Sequence, residues 1–370
     1  MNRLICCSLV GASLAASSAN SSAQSMTLYG ELDTGLAYVS NVNGHTQYLA
    51  TSGLVDGGYW GIQGTEDLGE GTQALFRLER GFSVTSGEDI NDHPAYVGVQ
   101  SDKLGTLTLG HQYDLIHDYF QVFTLTGGTG GTAFAHPFDN DNANNSYLAA
   151  NSIKYASASY GGFTFGGMYA FSNTAGRFAE NRAYGIATNY AHGPFSAGVA
   201  WMHNNGRGIN DVGAFEPAAL PGSGGNTLAS APPVDASAQK QDIVAAGANY
   251  VIGDLTFAGA WSRSIYTGVA DVDSGAALPS IAFSNYEISA VWLATPTLVL
   301  AGMYVYSNAS SQHWHQGALQ ADYQLSKRTD VYAEAVYQHA SAGTLAVINS
   351  IDPSSSRNQL LVATGIRHRF

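Results

Sequence analysis

Two histidines late in the sequence are the first candidates for chemistry. His313 and His315 stand in the motif HWH, and on a β-strand this spacing places both imidazoles on one face, where they could bind a metal ion. No acidic residue or thiol accompanies the pair, and loop-adjacent pairs of this kind are usually incidental. We therefore predict neither a metal site nor a cofactor.

Other residue patterns also fall short of a reactive site. The glycine-rich stretch TGGTGGT at 126–132 lacks the GK[ST] ending of a phosphate-binding loop, so flexibility is the simpler reason for its glycines. Serine and histidine are plentiful, but no spacing singles out a catalytic set with a carboxylate. We predict that the protein is not an enzyme.

The first 23 residues have the features of an export signal. Arg3 supplies a positive charge, the apolar stretch LICCSLVGASLAA follows, and small residues precede Gln24, as in a signal peptide cleaved after Ala23. Both cysteines lie in this segment. The mature chain, 24–370, therefore has no disulfide, thiolate metal site or cysteine nucleophile.

Composition excludes one class of partner. The chain has 28 Asp and Glu against 15 Lys and Arg, a formal net charge of −13, which argues against binding to nucleic acid. No apolar run approaches the roughly 20 residues that a membrane helix requires. Any membrane crossing must then be made by strands.

Alternation indicates that strands position whatever side chains function here. In TLYGELDTGLAY, Leu28, Leu32 and Leu36 fall on one face. Tyr29, Glu31 and Asp33 fall on the other face. The segments QALFRLE and LLVATGIRHRF repeat this pattern, which is typical of strands with one apolar and one polar face.

The connections favour a barrel over a sandwich. We place 16 strand-like segments of about nine to thirteen residues, close to the roughly 9 to 11 of a tilted membrane strand. Their connections alternate strictly between short turns, such as HGP (192–194) and SK (326–327), and longer loops, notably 113–150, 205–238, 267–282 and 342–357. This asymmetry is typical of outer-membrane barrels.

The last residue of the sequence fits such a barrel. With an even strand count, the first strand can pair with the last and no sheet edge remains. Phe370 is then the lipid-facing end of the closing strand, in the aromatic girdle at the periplasmic interface.

Several stretches together resemble the trimeric general porins of Gram-negative outer membranes, in their betaproteobacterial branch. They include TLYGELDTGL, GIQGTEDLGEGTQALFRLERGF, AYVGV, GTLTLGHQYD, NSIKYASASYGGFTFGGMYAF, NRAYGIATNYAHGPFSAGVAW and the closing GIRHRF. The resemblance implies an all-β, 16-stranded antiparallel transmembrane β-barrel and a homotrimer. It also implies a third loop, here 113–150, folded into the lumen, and a terminal Phe that the barrel-assembly machinery reads.

The resemblance also implies where pore charges lie. The third loop supplies four aspartates, Asp114, Asp118, Asp139 and Asp141. Relatives set such acids against arginines of the barrel wall. Three of those arginine positions carry Tyr59, His93 and His111 here. The alternation of β-strand residues, however, groups His111 with outward-facing leucines. Imidazoles are mostly neutral at pH 7. The remaining wall candidates are Arg77, Lys154 and Arg182, beside inward Glu31 and Asp33.

The sequence thus predicts an outer-membrane porin for passive diffusion of ions and small hydrophilic solutes, weakly cation-preferring at neutral pH. Its expected surroundings are outer-membrane lipid and lipopolysaccharide. The alternatives are a barrel enzyme of the lipase type and a secreted β-rich adhesin or lectin.

Overall fold

The computed structural model describes residues 25–90, 93–206, 236–271 and 274–370. The signal peptide expected at 1–23 and most of the loop expected at 205–238 lie outside these residues. Among the described residues, no helix is long and apolar enough to span a membrane.

Strands make up most of the described chain. They are β1 (Ser25–Val42), β2 (His45–Ser52), β3 (Tyr59–Gly69), β4 (Thr72–Phe82), β5 (Asp89–Ile90), β6 (Ala95–Ser101), β7 (Gly105–Gln112), β8 (Ala149–Ala156), β9 (Phe163–Ala170), β10 (Arg182–His192), β11 (Phe195–Asn205), β12 (Ala236–Ser237), β13 (Lys240–Ile252), β14 (Leu255–Thr267), β15 (Ala270–Asp271), β16 (Ile281–Thr295), β17 (Leu298–Ala309), β18 (Gln312–Gln324), β19 (Thr329–Ala340) and β20 (Asn358–Arg369). A short helix, α1 (Leu115–Tyr119), and three 3-10 turns, Gln121–Phe123, Thr132–Phe134 and Pro137–Asp139, lie between β7 and β8.

The main sheet closes on itself. β1 pairs with β20 on one side, and with β2 and then β3 on the other. β2 and β3 are therefore two parts of one barrel strand interrupted at 53–58, and β5 and β6, which both pair with β4, are parts of another. Counting each interrupted strand once, the 18 strands of this sheet form a closed antiparallel barrel of 16. The predicted fold is confirmed.

The two faces of the wall differ as the alternation predicted. Large apolar side chains such as Leu36 (67% exposed) and Leu319 (68% exposed) project outward, whereas small and polar residues face the interior. A continuous apolar exterior is unfavourable in water but suits lipid. Closure also leaves no unpaired sheet edge in the membrane.

The connections follow the predicted asymmetry with two exceptions. One end of the barrel, here called the turn end, has short turns such as 193–194, 253–254 and 296–297, and the opposite loop end has longer segments. At the loop end, however, 43–44 and 310–311 are two-residue turns, so the prediction of strict alternation was wrong there. Asn43 and Gly44 have φ of 50° and 95°, the left-handed pair that a tight hairpin requires.

Phe370 completes the closure at the turn end. Its N–H donates to the Gly30 carbonyl at 3.1 Å, and its carbonyl accepts from the Gly30 N–H at 3.3 Å. Its ring lies on the outer face over Gly30, where an added Cβ would be 2.4 Å from the ring. Gly30 therefore provides the space that the Phe370 ring occupies.

Candidate functional site: the barrel lumen

The segment between β7 and β8, residues 113–148, lies inside the barrel and is called the inner segment. The Leu125 N–H donates to Glu287 Oε1 at 2.7 Å, and Tyr266 Oη donates to the Asn140 carbonyl at 2.8 Å. Glu287 and Tyr266 are inward residues of β16 and β14. Hydrogen bonds from the wall thus hold the segment across the lumen.

Glycines on the wall let the inner segment approach closely. A Cβ at Gly166 would lie 2.6 Å from Tyr119 Oη, and one at Gly247 would lie 2.4 Å from Phe123 Cβ. No side chain fits between wall and segment at these positions. The glycines therefore form the surface on which α1 and the turn after it pack.

A second segment, 341–357, also folds inward from the loop end. The Ile348 N–H donates to Gln359 Oε1 at 2.8 Å, and Asn349 Nδ2 donates to the Thr132 carbonyl of the inner segment at 3.1 Å. The two segments share an apolar cluster that includes Leu125 and Ile348. Together they fill one side of the barrel.

The space left open is a cavity of about 1140 Å³ between the inner segment and the wall. Its charged lining consists of three acidic and three basic side chains, with two imidazoles: Asp56, Glu79, Asp118, Arg77, Lys154, Arg367, His93 and His117. Formal charges in the lining are therefore balanced when both imidazoles are neutral.

One charge pair in the lining of this cavity joins the inner segment to the wall. Lys154 Nζ on β8 lies 2.6 Å from Asp118 Oδ2 and donates to the Tyr113 carbonyl at 2.9 Å. His117 Nδ1 is 3.0 Å from Asp118 Oδ1. Burial alone raises the pKa of the Asp118 carboxyl, but hydrogen bonding with His117 and the charge of Lys154 outweigh it and lower that pKa. Asp118 is accordingly a carboxylate at neutral pH.

A second cluster lies on the wall itself. Arg77 Nε donates to Glu79 Oε1 at 2.8 Å, and Tyr29 Oη donates to the same oxygen at 2.6 Å. His93 Nδ1 lies 3.4 Å from Glu79 Oε2, and its ring centroid is 5.3 Å from that of Tyr59. Tyr59, Arg77 and His93 thus stand together in the cavity wall.

The other three predicted aspartates do not face the cavity. Asp114 is buried and caps α1, accepting from the His117 N–H at 3.0 Å and from Asn142 Nδ2 at 3.0 Å. Asp139 accepts from the N–H groups of Asn144 (2.8 Å) and Ser146 (3.1 Å). Burial raises the pKa of Asp114 to about 6. Burial, with the charge of Asp141, raises the pKa of Asp139 to about 7. Their expected exposure to ions was wrong, because the segment uses them to fold.

Asp141 belongs to a buried ionic cluster that attaches the inner segment to the wall. His136 Nδ1 is 2.7 Å from Asp141 Oδ2, and His136 Nε2 is 3.3 Å from Glu287 Oε2. Ser262 on β14 also donates to Asp141. Burial lowers the pKa of His136, but the charges of Asp141 and Glu287, with the hydrogen bond to Asp141, prevail and raise it to about 10. We name His136, Asp141 and Glu287 the His136 cluster.

Four predicted wall residues, Glu31, Asp33, His111 and Arg182, do not line the cavity. Asp33 is fully buried and accepts from the Val55 N–H at 2.9 Å, fixing the interruption at 53–58. Glu31, also buried, lies 2.8 Å from Arg369 Nε near the turn end. His111 lies on the face of β7 opposite Gln112 and does not line the cavity.

Arg182 projects from the outer face of β10. It shares this face with Ile186, and its guanidinium lies 5.3 Å from the Tyr184 ring centroid. The predictions for His111 and Arg182 were wrong because strand parity, which places both outward, prevails.

The histidine pair also faces outward. His315 Nδ1 is 2.6 Å from Tyr304 Oη, and the His313 and His315 ring centroids are 5.7 Å apart. Within the described ranges, no group of three or more His, Cys, Asp or Glu is arranged to hold a metal ion.

Comparison with known proteins identifies the family. Residues 9–343 match the Gram-negative porin family. The chain belongs to it. A porin with this fold is located in the Gram-negative outer membrane, which explains the apolar exterior of the barrel.

Curated relatives support the assignment over part of their length. An outer membrane porin protein of Bordetella pertussis is 32% identical over 212 residues, covering 49% of this chain and 54% of the relative. Outer membrane porin protein 32 of Delftia acidovorans is 32% identical over 204 residues, covering 50% of this chain and 56% of the relative. The chain thus spans about half the length of the curated relatives that it matches.

Solved structures share the fold over nearly the whole chain. The anion-selective porin from Comamonas acidovorans superposes with a TM-score of 0.75 at 22% identity, covering 94% of this chain and all of that one (100%). OmpT of Vibrio cholerae gives a TM-score of 0.64 at 14% identity, covering 95% of this chain and 99% of that one.

Some lining residues escaped prediction. Glu79 and Arg367 carried a usable signal, because alternation places both on the inward face of their strands. Asp56, His117 and the buried His136 gave none, since their roles depend on how the inner segment and the interruption at 53–58 fold back on the wall. Alternation places Glu287 inward on β16, but its contact with the inner segment could not be read from it.

Proposed function

We propose that this porin is a water-filled channel for the passive diffusion of ions and small hydrophilic solutes, without catalysis. The cavity between the inner segment and the charged wall carries this proposal. In this scheme the inner segment, within the predicted 113–150 loop, is the constriction, and Asp118, Lys154, Arg77 and Glu79 line it. Width and charge at that point then select solutes.

We retain a weak cation preference at neutral pH. We assign it to acidic residues near the turn end and no longer to the four aspartates of the third loop. The cavity lining itself is balanced. Nearer the turn end, the inward acidic residues Glu31, Asp322 and Asp330 pair with Arg367 and Arg369, and Glu334 is a fourth inward acid. Because Arg367 is already counted in the cavity lining, this region adds four acidic residues but only one further arginine. This excess favours cations. The alternative is an anion preference. The porin from Comamonas acidovorans is named anion-selective, but its 22% identity to this chain supports only a shared fold.

Planar-bilayer recording tests both the proposed channel and its proposed cation preference. Purified protein should give stepwise ohmic conductance, and a KCl gradient at pH 7.5 should give a small reversal potential of the cation-selective sign. An absence of conductance steps contradicts the channel. An anion-selective sign contradicts only the preference.

We further propose a homotrimer, supported by family membership. It should migrate as a heat-sensitive trimer on gels after detergent extraction. The alternative of a secreted adhesin or lectin is inconsistent with membership of an outer-membrane family. No spacing of serine, histidine and carboxylate in the sequence singles out a lipase-type set, so an assay for phospholipid hydrolysis should detect no activity.

A further inference from the structure

The cavity lining repeats one combination of side chains at two places, the first of them on the wall. The ring centroids of Tyr59 and His93 are 5.3 Å apart. Glu79 connects His93 to a cation, with Oε2 3.4 Å from His93 Nδ1 and Oε1 accepting from Arg77 Nε at 2.8 Å. We call Tyr59, His93, Glu79 and Arg77 the wall unit. It presents two flat rings beside a charge pair that is neutral overall.

The same combination recurs where the inner segment meets β8. His117 stacks on Tyr113, with ring centroids 3.9 Å apart and an angle of 15° between the ring planes. Asp118 connects His117 to a cation, with Oδ1 3.0 Å from His117 Nδ1 and Oδ2 2.6 Å from Lys154 Nζ. We call Tyr113, His117, Asp118 and Lys154 the segment unit. It too combines two rings with a balanced charge pair.

The two units adjoin one another across the cavity. Burial raises the pKa of the Tyr113 hydroxyl, and of the charges that act on it, that of Glu79 also raises the pKa whereas that of Arg77 lowers it. Tyr113 of one unit is therefore close to the charge pair of the other. Tyr59, His93, Tyr113 and His117 all line the cavity and are only half-buried, so part of each ring faces the open space.

The inner segment offers hydrogen bonds without formal charge on a further side of the cavity. Hydroxyl and amide side chains line it: Thr126, Thr132, Asn144, Asn145 and Ser146. Among them, Gly127, Gly128 and Gly130 also line the cavity, and without side chains they leave their peptide groups open to a solute. The glycine-rich stretch at 126–132 thus extends the polar, uncharged surface.

We propose that this cavity binds neutral sugars in their ring form during passage, with a sugar ring lying on Tyr59 or Tyr113. The inference rests on the proposed channel function and assigns that channel a class of preferred solute. Aromatic rings carry negative charge on their faces, so they attract the weakly positive C–H groups on a face of a pyranose ring. The hydroxyl groups at the edge of that ring bond to the paired carboxylates and cations, which form strong, charge-assisted hydrogen bonds.

The balance of the lining favours sugars over two other classes of solute. An ion gains little here, because each cation of the two units already has a carboxylate partner within 3 Å. A planar aromatic solute would cover the rings, but it would leave the hydroxyl, amide and peptide groups of the inner segment without partners, which is unfavourable. A ring that carries hydroxyl groups satisfies both kinds of surface.

Single-channel current in planar bilayers tests the site as methyl α-glucoside, whose ring cannot open, is added. The current should fall along a saturating curve, because a bound sugar obstructs ions while it occupies the cavity. Sorbitol carries its hydroxyl groups on an open chain without a ring face, so it should lower the current only as far as the viscosity of the solution rises. Equal effects of the two solutes would overturn the proposal.

Variants of the tyrosines locate the binding. Tyr113→Leu and Tyr59→Leu should each raise the half-saturating concentration by roughly tenfold, within the range of an aromatic contact. Tyr113→Phe keeps the ring and should bind like the unmodified protein. Tyr250→Leu, on the outer face of β13 and 48% exposed, is the matched control and should bind equally well. The same half-saturating concentration in Tyr113→Leu, Tyr59→Leu and Tyr250→Leu would contradict the assigned site.

Two further observations separate this inference from the channel itself. Conductance steps recorded without sugar report that each variant has folded and opened. Steps that are present but insensitive to methyl α-glucoside contradict only the sugar site, whereas their absence from the unmodified protein contradicts the channel and the sugar site together. A stronger saturating effect of nicotinamide, a neutral aromatic amide, would indicate a site for aromatic rings and would also overturn the proposal.

Discussion

At the scale of single residues, the ion pair of Lys154 and Asp118 offers the most direct test of the proposed selectivity. Lys154→Gln leaves the Asp118 carboxylate in the cavity without its partner at 2.6 Å. Removing one charge near the surface changes ion energies by about 1 kcal/mol. We expect the cation-to-anion permeability ratio to rise several-fold, measured as a reversal potential under a KCl gradient at pH 7.5.

The reciprocal variant and a matched control sharpen this test. Asp118→Asn should shift the ratio toward anions, because Lys154 then stands alone. Arg182→Gln removes the same charge as Lys154→Gln but from the outer face, so selectivity should not change. An effect of Arg182→Gln as large as that of Lys154→Gln would contradict the placement of charge described above.

The direction of a side chain could be derived from sequence only where strand alternation applies and is followed. Arg77 and Lys154 stand on strands, so their inward direction follows from parity. For the aspartates, sequence gives type but not direction. Asp118 reaches the cavity, whereas Asp114 caps a five-residue helix that only the folded segment reveals. Resemblance placed His111 inward against its parity, and parity was right.

At the scale of elements, the His136 cluster is the main ionic attachment of the inner segment. His136→Gln leaves Asp141 and Glu287 buried without their cation, which costs about 3 to 5 kcal/mol in buried pairs. Because the barrel closes independently, we expect the segment to detach while the wall persists. Limited chymotrypsin digestion should then cleave near Phe134 and Phe138 at pH 7, where the unmodified protein resists.

The same attachment should depend on pH in one direction. The folded pKa of His136, about 10, exceeds the ordinary value of about 6.5. Its stabilisation is therefore complete below pH 6.5 and is lost as pH rises through about 10. Digestion of the unmodified protein should increase between pH 8 and 11, whereas His136→Gln should show little further change. Resistance of the unmodified protein at pH 11 would argue against the cluster as the attachment.

Removing part of the inner segment tests its role as the constriction. Residues 124–135 contain Leu125, which bonds to Glu287, and Phe134, which packs in the shared apolar cluster. Their deletion should enlarge the lumen, so single-channel conductance should rise and liposome swelling should admit larger sugars. Deleting residues 174–178, in the outer loop between β9 and β10, is the control and should leave both unchanged. Unaltered conductance in the first variant would mean that ions do not pass this segment.

Element positions were largely predictable because a strand with one lipid-facing side has a strict period of two. We placed strand starts near 182, 240 and 312, and β10, β13 and β18 begin at Arg182, Lys240 and Gln312. The part strand β2 was missed, since HTQYLATS alternates weakly. The interruption at 53–58 was missed as well. It depends on Asp33 holding the N–H groups of Val55 and Asp56 from another strand, a contact that local sequence cannot show.

At the scale of the whole molecule, closure was predictable from the strand pattern, the inward fold of the third loop followed only from the resemblance, and the inward fold of 341–357 followed from neither. An even number of membrane strands with both ends at the turn end requires β1 to meet β20. By contrast, the inward path of 341–357 depends on long-range contacts such as Asn349 with Thr132. That contact joins residues 217 positions apart.

Phe370 should govern assembly of the molecule because it completes the seam between β20 and β1. Its backbone pairs with Gly30 and its ring fills the space over that glycine. Deleting Phe370 should sharply reduce trimer in the outer membrane while synthesis continues, whereas Phe370→Tyr, which keeps the ring, should assemble normally. Heat-modifiable trimer in membrane fractions measures both.

Refolding in detergent separates the two reasons for such a loss. If the seam contact matters, the deletion variant and Gly30→Leu should both refold more slowly than the unmodified protein, since each removes the ring from its place over Gly30. If recognition by the barrel-assembly machinery matters, the deletion variant should refold normally in vitro and fail only in cells. Normal trimer yield in cells contradicts both, because the seam would then close without its last residue.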